Sequence, residues 1–350
     1  MLASLFGCGD SGGPTTTATP SPTPIAAPNV PPPATGFIAR VTNAVTGAPV
    51  AGARIEIEGV GNLTTDTAGN VTIDLTQSPS TPSGRKITVD AGGFLARQSR
   101  VSSTPTSSFV DVSLFPSGDP FDLNFFDHVF RDTGERGTRP WKTEPLFEIW
   151  TTVFDCVEMT EEGVCDELEA TDEAAPTAFI RNARMVVEDH SRRYTGGAIL
   201  GNRITERRHE AGVRIVHEDQ SERGKVTIAM VMFPHRTSWA RTWFFTESQA
   251  KSRAHIQMNR HHRDNIGIYS HELAHALGFR HPLGRENVPL PSIMRQGHGD
   301  EPTRHDVLHG RLAYMRPAGS MTPDTDPASF ILNELRESMI GGSEIEVVDP

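Results

Sequence analysis

His271-Glu272-Leu273-Ala274-His275-Ala276-Leu277-Gly278-Phe279-Arg280-His281 is the stretch on which the reading of this chain turns. Two histidines four residues apart on a helix stand one turn apart on the same face, close enough to bind a single zinc ion. Glu272 follows the first histidine, so it can reach water at the metal's open position without being a ligand itself. Gly278 suits the left-handed conformation that ends a helix. The chain can then turn back and bring His281 to the same metal. Three histidines plus water make an open, catalytic site rather than a closed, structural one. A bare H-E-x-x-H arises by chance in roughly a few per cent of chains this long. The glycine and third histidine at fixed offsets lower that by a factor on the order of several hundred.

The set His271, Glu272, His275, Gly278 and His281 resembles the long zinc signature of the metzincin metallopeptidases. That family also carries a methionine in a tight turn below the metal. Here Ser292-Ile293-Met294 follows the turn-rich Pro289-Leu290-Pro291, and the resemblance implies that Met294 is the turn residue. It further implies an α+β catalytic domain, a twisted sheet plus helices, over residues 120–318. His271, His275 and His281 would hold Zn2+, Glu272 would act as general base and acid, and Gly278 and Met294 would support the site. The implied partner is a protein or peptide substrate, paired in extended form with an edge strand drawn from residues 225–258.

The chain departs from the family pattern in places. Pro282 follows the third histidine, as in serralysins, but Gln296 stands where astacins and serralysins carry a tyrosine. The glycine and aspartate calcium repeats of serralysins are absent. The matrixin-like and serralysin-like branches are the nearest. Two rival readings exist. A gluzincin-type site would take a glutamate such as Glu301 as third ligand, which the well-placed His281 makes unnecessary. A non-catalytic, surface-anchored binding module with a vestigial zinc site would have no need of Glu272.

Upstream of the motif, residues 146–153 read as a strand, followed by an acidic loop holding Cys156 and Cys165. Those cysteines form either a short disulfide loop in an oxidising compartment or two free thiols. Residues 177–194 place Phe179, Ile180, Ala183, Val186, Val187 and His190 at helical spacing. Strands are expected at 213–216 and 225–231, and residues 254–258 alternate as an edge strand would. Residues 302–315 read as a helix behind the metal, and Asp326-Pro327 as the start of a last helix through about residue 339. His255, His261, His262, His298, His305 and His309 are expected at the surface or as supports of the ligands. Tyr314 and Arg316 are expected to pack the last helix of the catalytic domain.

Residues 36–116 alternate short apolar strands with Gly, Pro and Asn turns, which argues a small antiparallel sandwich. The stretches 46–53, 65–70 and 92–94 are similar to carboxypeptidase regulatory-like domains, implying an Ig-like or transthyretin-like all-β unit with a spacer or adhesive role. Residues 1–35 begin with Leu5-Phe6-Gly7-Cys8, which resembles a bacterial lipobox with Cys8 as the lipidated, membrane-anchoring residue. The Thr- and Pro-rich run after it buries too little to fold and reads as a tether. Residues 319–350 are expected to hold the last helix and a frayed tail. A net charge of -11 argues against nucleic acid as a partner. The expectation is an extracytoplasmic bacterial protein, secreted or a cell-envelope lipoprotein, and a monomer.

Overall fold

The computed structural model describes residues 36–76, 84–103, 108–131, 136–160, 164–234, 240–247, 249–282, 290–295 and 301–332. Cys8 with its tether, Gln296, His298 and residues 333–350 lie outside them. Within the described residues the chain is a mixed α+β fold.

The alternation in residues 36–116 becomes seven strands: β1 Gly36–Asn43, β2 Arg54–Ile57, β3 Gly61–Thr64, β4 Asn70–Asp74, β5 Arg85–Asp90, β6 Arg97–Val101 and β7 Phe109–Leu114. They form two sheets, ordered β4-β1-β7 and β3-β2-β5-β6. Inward residues of both, including Phe37, Val41, Ile55, Ile87, Val89 and Val112, share one core. The expected antiparallel pattern holds except between β1 and β7, which run parallel. No hairpin joins those two strands, so no turn dictates their relative direction.

The remaining elements are α1 Leu123–Phe130, β8 Leu146–Met159, β9 Cys165–Ala174, α2 Thr177–Thr195, β10 Ile204–Arg207, β11 Arg214–Val216, β12 Lys225–Met232, β13 Ala240–Glu247, β14 Ala250–Asn259, α3 Ile266–Leu277 and α4 Arg304–Tyr314. The larger sheet has the order β11-β9-β8-β12-β14-β13, with β10 also on β8. Strands β8, β12 and β14 run parallel and β13 closes the edge antiparallel. On β12, Val226, Ile228 and Met230 face the core shared with α2 and α3, whereas Ala229 and Val231 face a second cluster with Trp150, Phe154 and Cys165. Both faces are buried, as the near-continuous apolar run of a parallel strand requires.

Three expectations fail here. The acidic loop after residue 153 is a long hairpin, β8 with β9, closed by a Cys156–Cys165 disulfide with Cα atoms 5.5 Å apart. Its carboxylates looked like loop composition because their partners are remote: Glu167 and Glu169 meet Arg214, and Glu173 meets Arg260. Residues 254–258 are an inner strand, and β13 is the edge. The polar alternation of His255, Gln257 and Asn259 faces a buried polar layer rather than solvent: the Gln257 amide bonds the Cys165 backbone and Gln220.

Residues 327–332 are turn and extended chain, not helix. The Asp326 carboxylate takes two hydrogen bonds from Arg97, and the segment lies along β6 through Asp326 N to Gln98 O and Leu332 N to Arg100 O. Together with the buried Arg316–Asp324 pair, whose guanidinium also reaches the Ser113 carbonyl, this strap ties the sandwich to the larger unit. Among the described residues no helix is long and apolar enough to cross a membrane.

Candidate metal centre

Helix α3 carries the first two histidines. Asn265 caps its start by accepting from Ile268 N at 3.3 Å. Its end is held from several directions at once. Gly278 sits at φ 115°, and a Cβ there would lie 3.2 Å from the Arg139 carbonyl. The last four carbonyls, otherwise orphaned, all find donors: Ala274 from Phe279 N, His275 from Lys251 Nζ at 2.8 Å, Ala276 from Trp141 Nε1 at 2.9 Å and Leu277 from Tyr314 Oη at 2.8 Å. Tyr314 thus fastens α3 itself, a more specific role than packing.

The turn at Gly278 returns the chain so that His271, His275 and His281 come together, with one ligand nitrogen from each inside a span of 4.8 Å. In every ring Nδ1 is committed to a backbone carbonyl. His271 Nδ1 donates to Ile293 O at 2.7 Å, His275 to Phe279 O at 2.9 Å and His281 to Met294 O at 2.9 Å. A carbonyl only accepts, so Nδ1 carries the proton and Nε2 the lone pair on all three. His275 Nε2 and His281 Nε2 then face each other at 3.1 Å. Two lone pairs at that distance repel unless a cation lies between them. Two nitrogens each ~2.1 Å from a tetrahedral zinc are ~3.4 Å apart, so the donor set fits the ion. Burial lowers the proton affinity of His271, and more strongly that of His275, where the two neighbouring rings add to it. Both imidazoles are thereby kept in the neutral form that a metal needs.

Two of those carbonyls belong to the turn at 292–294. Ser292, Ile293 and Met294 are all buried, and the turn is pinned from α4. Asp306 accepts from Ser292 Oγ at 2.5 Å and from Ile293 N at 2.8 Å. The same carboxylate takes Thr303 N at 3.0 Å in a capping box that starts α4. Asp306 therefore positions His271 and His281 through the carbonyls of Ile293 and Met294. His255 and His309 are fully buried, and His305 nearly so. None of the three joins the ligand group: His255 stacks against Trp150 and Trp243, and His309 packs on Phe121 and Phe125. The expectation that they lie at the surface or support the ligands fails, because aromatic residues remote in sequence enclose them.

Glu272 is buried, and its Oε2 accepts from Thr242 Oγ1 at 2.6 Å. Burial pushes its carboxyl up to about 7, against the opposing pull of that hydrogen bond and of His281 and Arg241. Thr242 lies on β13, so the edge strand and the candidate base are in direct contact. Sequence reading missed Thr242, Asp306 and Lys251, and gave Ser292 only as part of the turn. Only Asp306 left a signal, as the N3 residue of the Thr303-x-x-Asp306 box. No family model matches this chain, and no curated protein matches it either.

Proposed function

We propose that the chain is a zinc-dependent endopeptidase of the metzincin type, nearest to the matrixin-like or serralysin-like branch, preceded by a carboxypeptidase regulatory-like sandwich. The observation that carries this reading is the common commitment of three Nδ1 atoms to carbonyls, which leaves three Nε2 lone pairs converging beside a buried glutamate. His271, His275 and His281 would hold the zinc, which when bound supplies Lewis acidity and lowers the pKa of a water in its open position.

The chain's own residues do the rest. Glu272 takes the proton of the attacking water and returns it to the departing amine, so that the peptide C–N bond breaks with the nitrogen leaving neutral. Its elevated carboxyl pKa suits a group that must both accept and release a proton. Thr242 holds the carboxylate in place and couples it to β13, whose outer edge pairs with no other strand among the described residues and would offer extended substrate a row of backbone hydrogen-bonding groups. Asp306 and the turn at Met294 keep His271 and His281 aimed without touching substrate. A purely structural metal site would gain nothing from burying Glu272, since burial of an ionisable group is costly.

The place of action we propose is extracytoplasmic, where the Cys156–Cys165 bond is stable. Digestion of an unfolded protein by the zinc-loaded chain, with fragments identified by mass, tests the reading. Glu272→Ala should keep one ion in this site and lower turnover by roughly 10²–10⁴-fold. Equal cleavage by the two proteins would remove Glu272 from the reaction and with it the proposal.

A further inference from the structure

The turn at residues 278–281, which returns His281 to the other two histidines, is held from outside α3 by two neighbours. Arg280 N donates to Val129 O at 2.9 Å, so the end of α1 fixes the residue just before the third histidine. The segment 137–141 holds the other side. Its Arg139 carbonyl lies 3.2 Å from where a Cβ on Gly278 would stand, and Trp141 Nε1 donates to Ala276 O at 2.9 Å. Both neighbours are fastened in turn to the strap of residues 316–326. At α1, the buried Arg131 donates through Nη1 to Pro323 O at 3.1 Å and to Asp127 Oδ1 at 3.2 Å, and Asp127 Oδ2 accepts from Thr322 Oγ1 at 2.8 Å. At the other neighbour, Thr138 N donates to Ser320 O at 3.1 Å and Gly319 N donates to Thr138 O at 2.7 Å. The two backbones lie so close there that a Cβ on Gly137 would stand 2.4 Å from Gly319.

The opposite side of the strap belongs to the sandwich, and it is anchored to both sheets. On β6, Arg97 pairs with Asp326 at 2.8 Å and Gln98 N donates to Asp324 O at 3.0 Å. On β7, the Ser113 carbonyl accepts from Arg316 Nη2 at 2.9 Å, while the same guanidinium is paired with Asp324 at 2.7 Å. Three guanidiniums (Arg97, Arg131, Arg316) and three carboxylates (Asp127, Asp324, Asp326) thus meet along one strap, and all but Asp127 are buried. Charges removed from water are tolerated only in a geometry that pairs them. The strap is therefore confined to one seat, and it cannot slide between the sandwich and the larger unit without stranding a buried charge.

We propose that the sandwich is a positioning element of the three-histidine centre. Through the strap it fixes α1 and the segment 137–141, and through them the turn that aims His281. Arg97, Asp326 and Arg131 are positioning residues in this sense, since none of them touches a histidine ring or substrate. A spacer or adhesive module joined by an ordinary linker would share few contacts with its neighbour, and the centre would be complete without it. Here the hydrogen bonds run without a gap from β6 to the backbone of Arg280. The inference rests on the three histidines binding an ion and not on peptide hydrolysis.

Two variants of the full chain cut the path at different points. Arg97→Met/Asp326→Asn removes both charges of the sandwich–strap pair together, so that neither is left buried alone. Arg131→Met separates α1 from the strap and leaves the sandwich unaltered, so it reads the same path should the first variant fail to fold. Ile73→Ala is the control: it opens a cavity in the sandwich core on β4, the strand farthest from β7 in its sheet. Amide exchange at Arg280 is followed by mass spectrometry in the metal-free proteins, at a temperature where all are folded. It should be at least ~10-fold faster than in the parent in both strap variants and unchanged in Ile73→Ala. Cobalt affinity, titrated through the visible spectrum, should fall roughly 10-fold in both strap variants and keep its parent value in the control. Unchanged exchange at Arg280 in the strap variants, or an equal loss of cobalt affinity in Ile73→Ala, overturns the proposal. A parent that binds no cobalt yet shows this exchange pattern removes the zinc reading and upholds the sandwich's grip on the turn, so the two failures are distinguishable.

Discussion

The two faces of the larger sheet each gather histidines, and they use them in opposite ways. On the helix side, His271, His275 and His281 each give Nδ1 to a backbone carbonyl and turn Nε2 toward a common point. On the other side, His255 gives Nδ1 to the Thr227 hydroxyl, and its buried Nε2 has no hydrogen-bond partner. His209 and His217 lie on the same aromatic layer, against Trp150 and Trp243, and converge on nothing. Burial lowers the proton affinity of His255, to about 3, much as it lowers that of His275. Burial and a depressed pKa therefore do not mark a ligand. Convergence does, together with a carbonyl that fixes the tautomer.

The comparison breaks most easily at the ligands themselves. His275→Asn should weaken ion binding at the three-histidine centre by more than about 10³-fold and, if the proposed function holds, abolish peptide hydrolysis, because three ligands become two. His255→Asn should leave ion content intact at equal metal concentration and cost only stability. Isothermal titration of the two metal-stripped variants, alongside the parent, reads the difference. Equal loss of ion from both would mean that the distinction drawn from tautomers is wrong.

A smaller effect sharpens the same point one step outward. Asp306 touches none of the three rings, yet it holds the turn whose carbonyls orient two of them. Asp306→Ala should weaken ion affinity by roughly 10–100-fold, the usual consequence of losing an outer partner. It should also cost about 2–4 kcal/mol in unfolding free energy, since Ser292 Oγ, Ile293 N and Thr303 N lose a buried acceptor. An affinity unchanged despite that loss of stability would make Asp306 a helix cap alone.

The grouping of the three histidines was legible in the sequence because its geometry is local. One helical turn and one glycine relate His271, His275 and His281, and the spacing of eleven residues encodes both. Met294 was legible only through the resemblance, and its structural part is played by its carbonyl rather than by its side chain. Thr242 and Lys251 left no trace, since each reaches the helix from a strand more than twenty residues away. The same limit explains the misread hairpin: the arginines that neutralise β9 come from β11 and from the turn just after β14. Alternation alone distinguished the strands of residues 36–116, yet it misplaced the edge at 254–258. A polar alternating face looks the same against water as against a buried layer of glutamines.

The buried layer behind the sheet also makes a pH prediction that the metal centre does not share. His255 is neutral when folded, its imidazole lowered by burial from the ordinary 6.5 to about 3, with His217 adding to the effect. The unfolded chain takes up a proton below pH 6.5 and the folded chain does not. The stability that depends on a neutral His255 is therefore complete above pH 6.5 and is lost as pH falls from 6.5 toward 3. Between pH 7.5 and 5.5 this one group should lower the unfolding free energy by about 1.4 kcal/mol. His255→Gln keeps a polar side chain but cannot titrate, so its stability curve should be flatter over that interval by the same amount, whatever its absolute offset. Chemical denaturation at the two pH values, with a chelator present in both so that no ion bound at His271, His275 and His281 contributes, measures the difference. Parallel curves for the parent and His255→Gln would place a protonated His255 in the folded state, and the two faces of the sheet would then differ less than the tautomers imply.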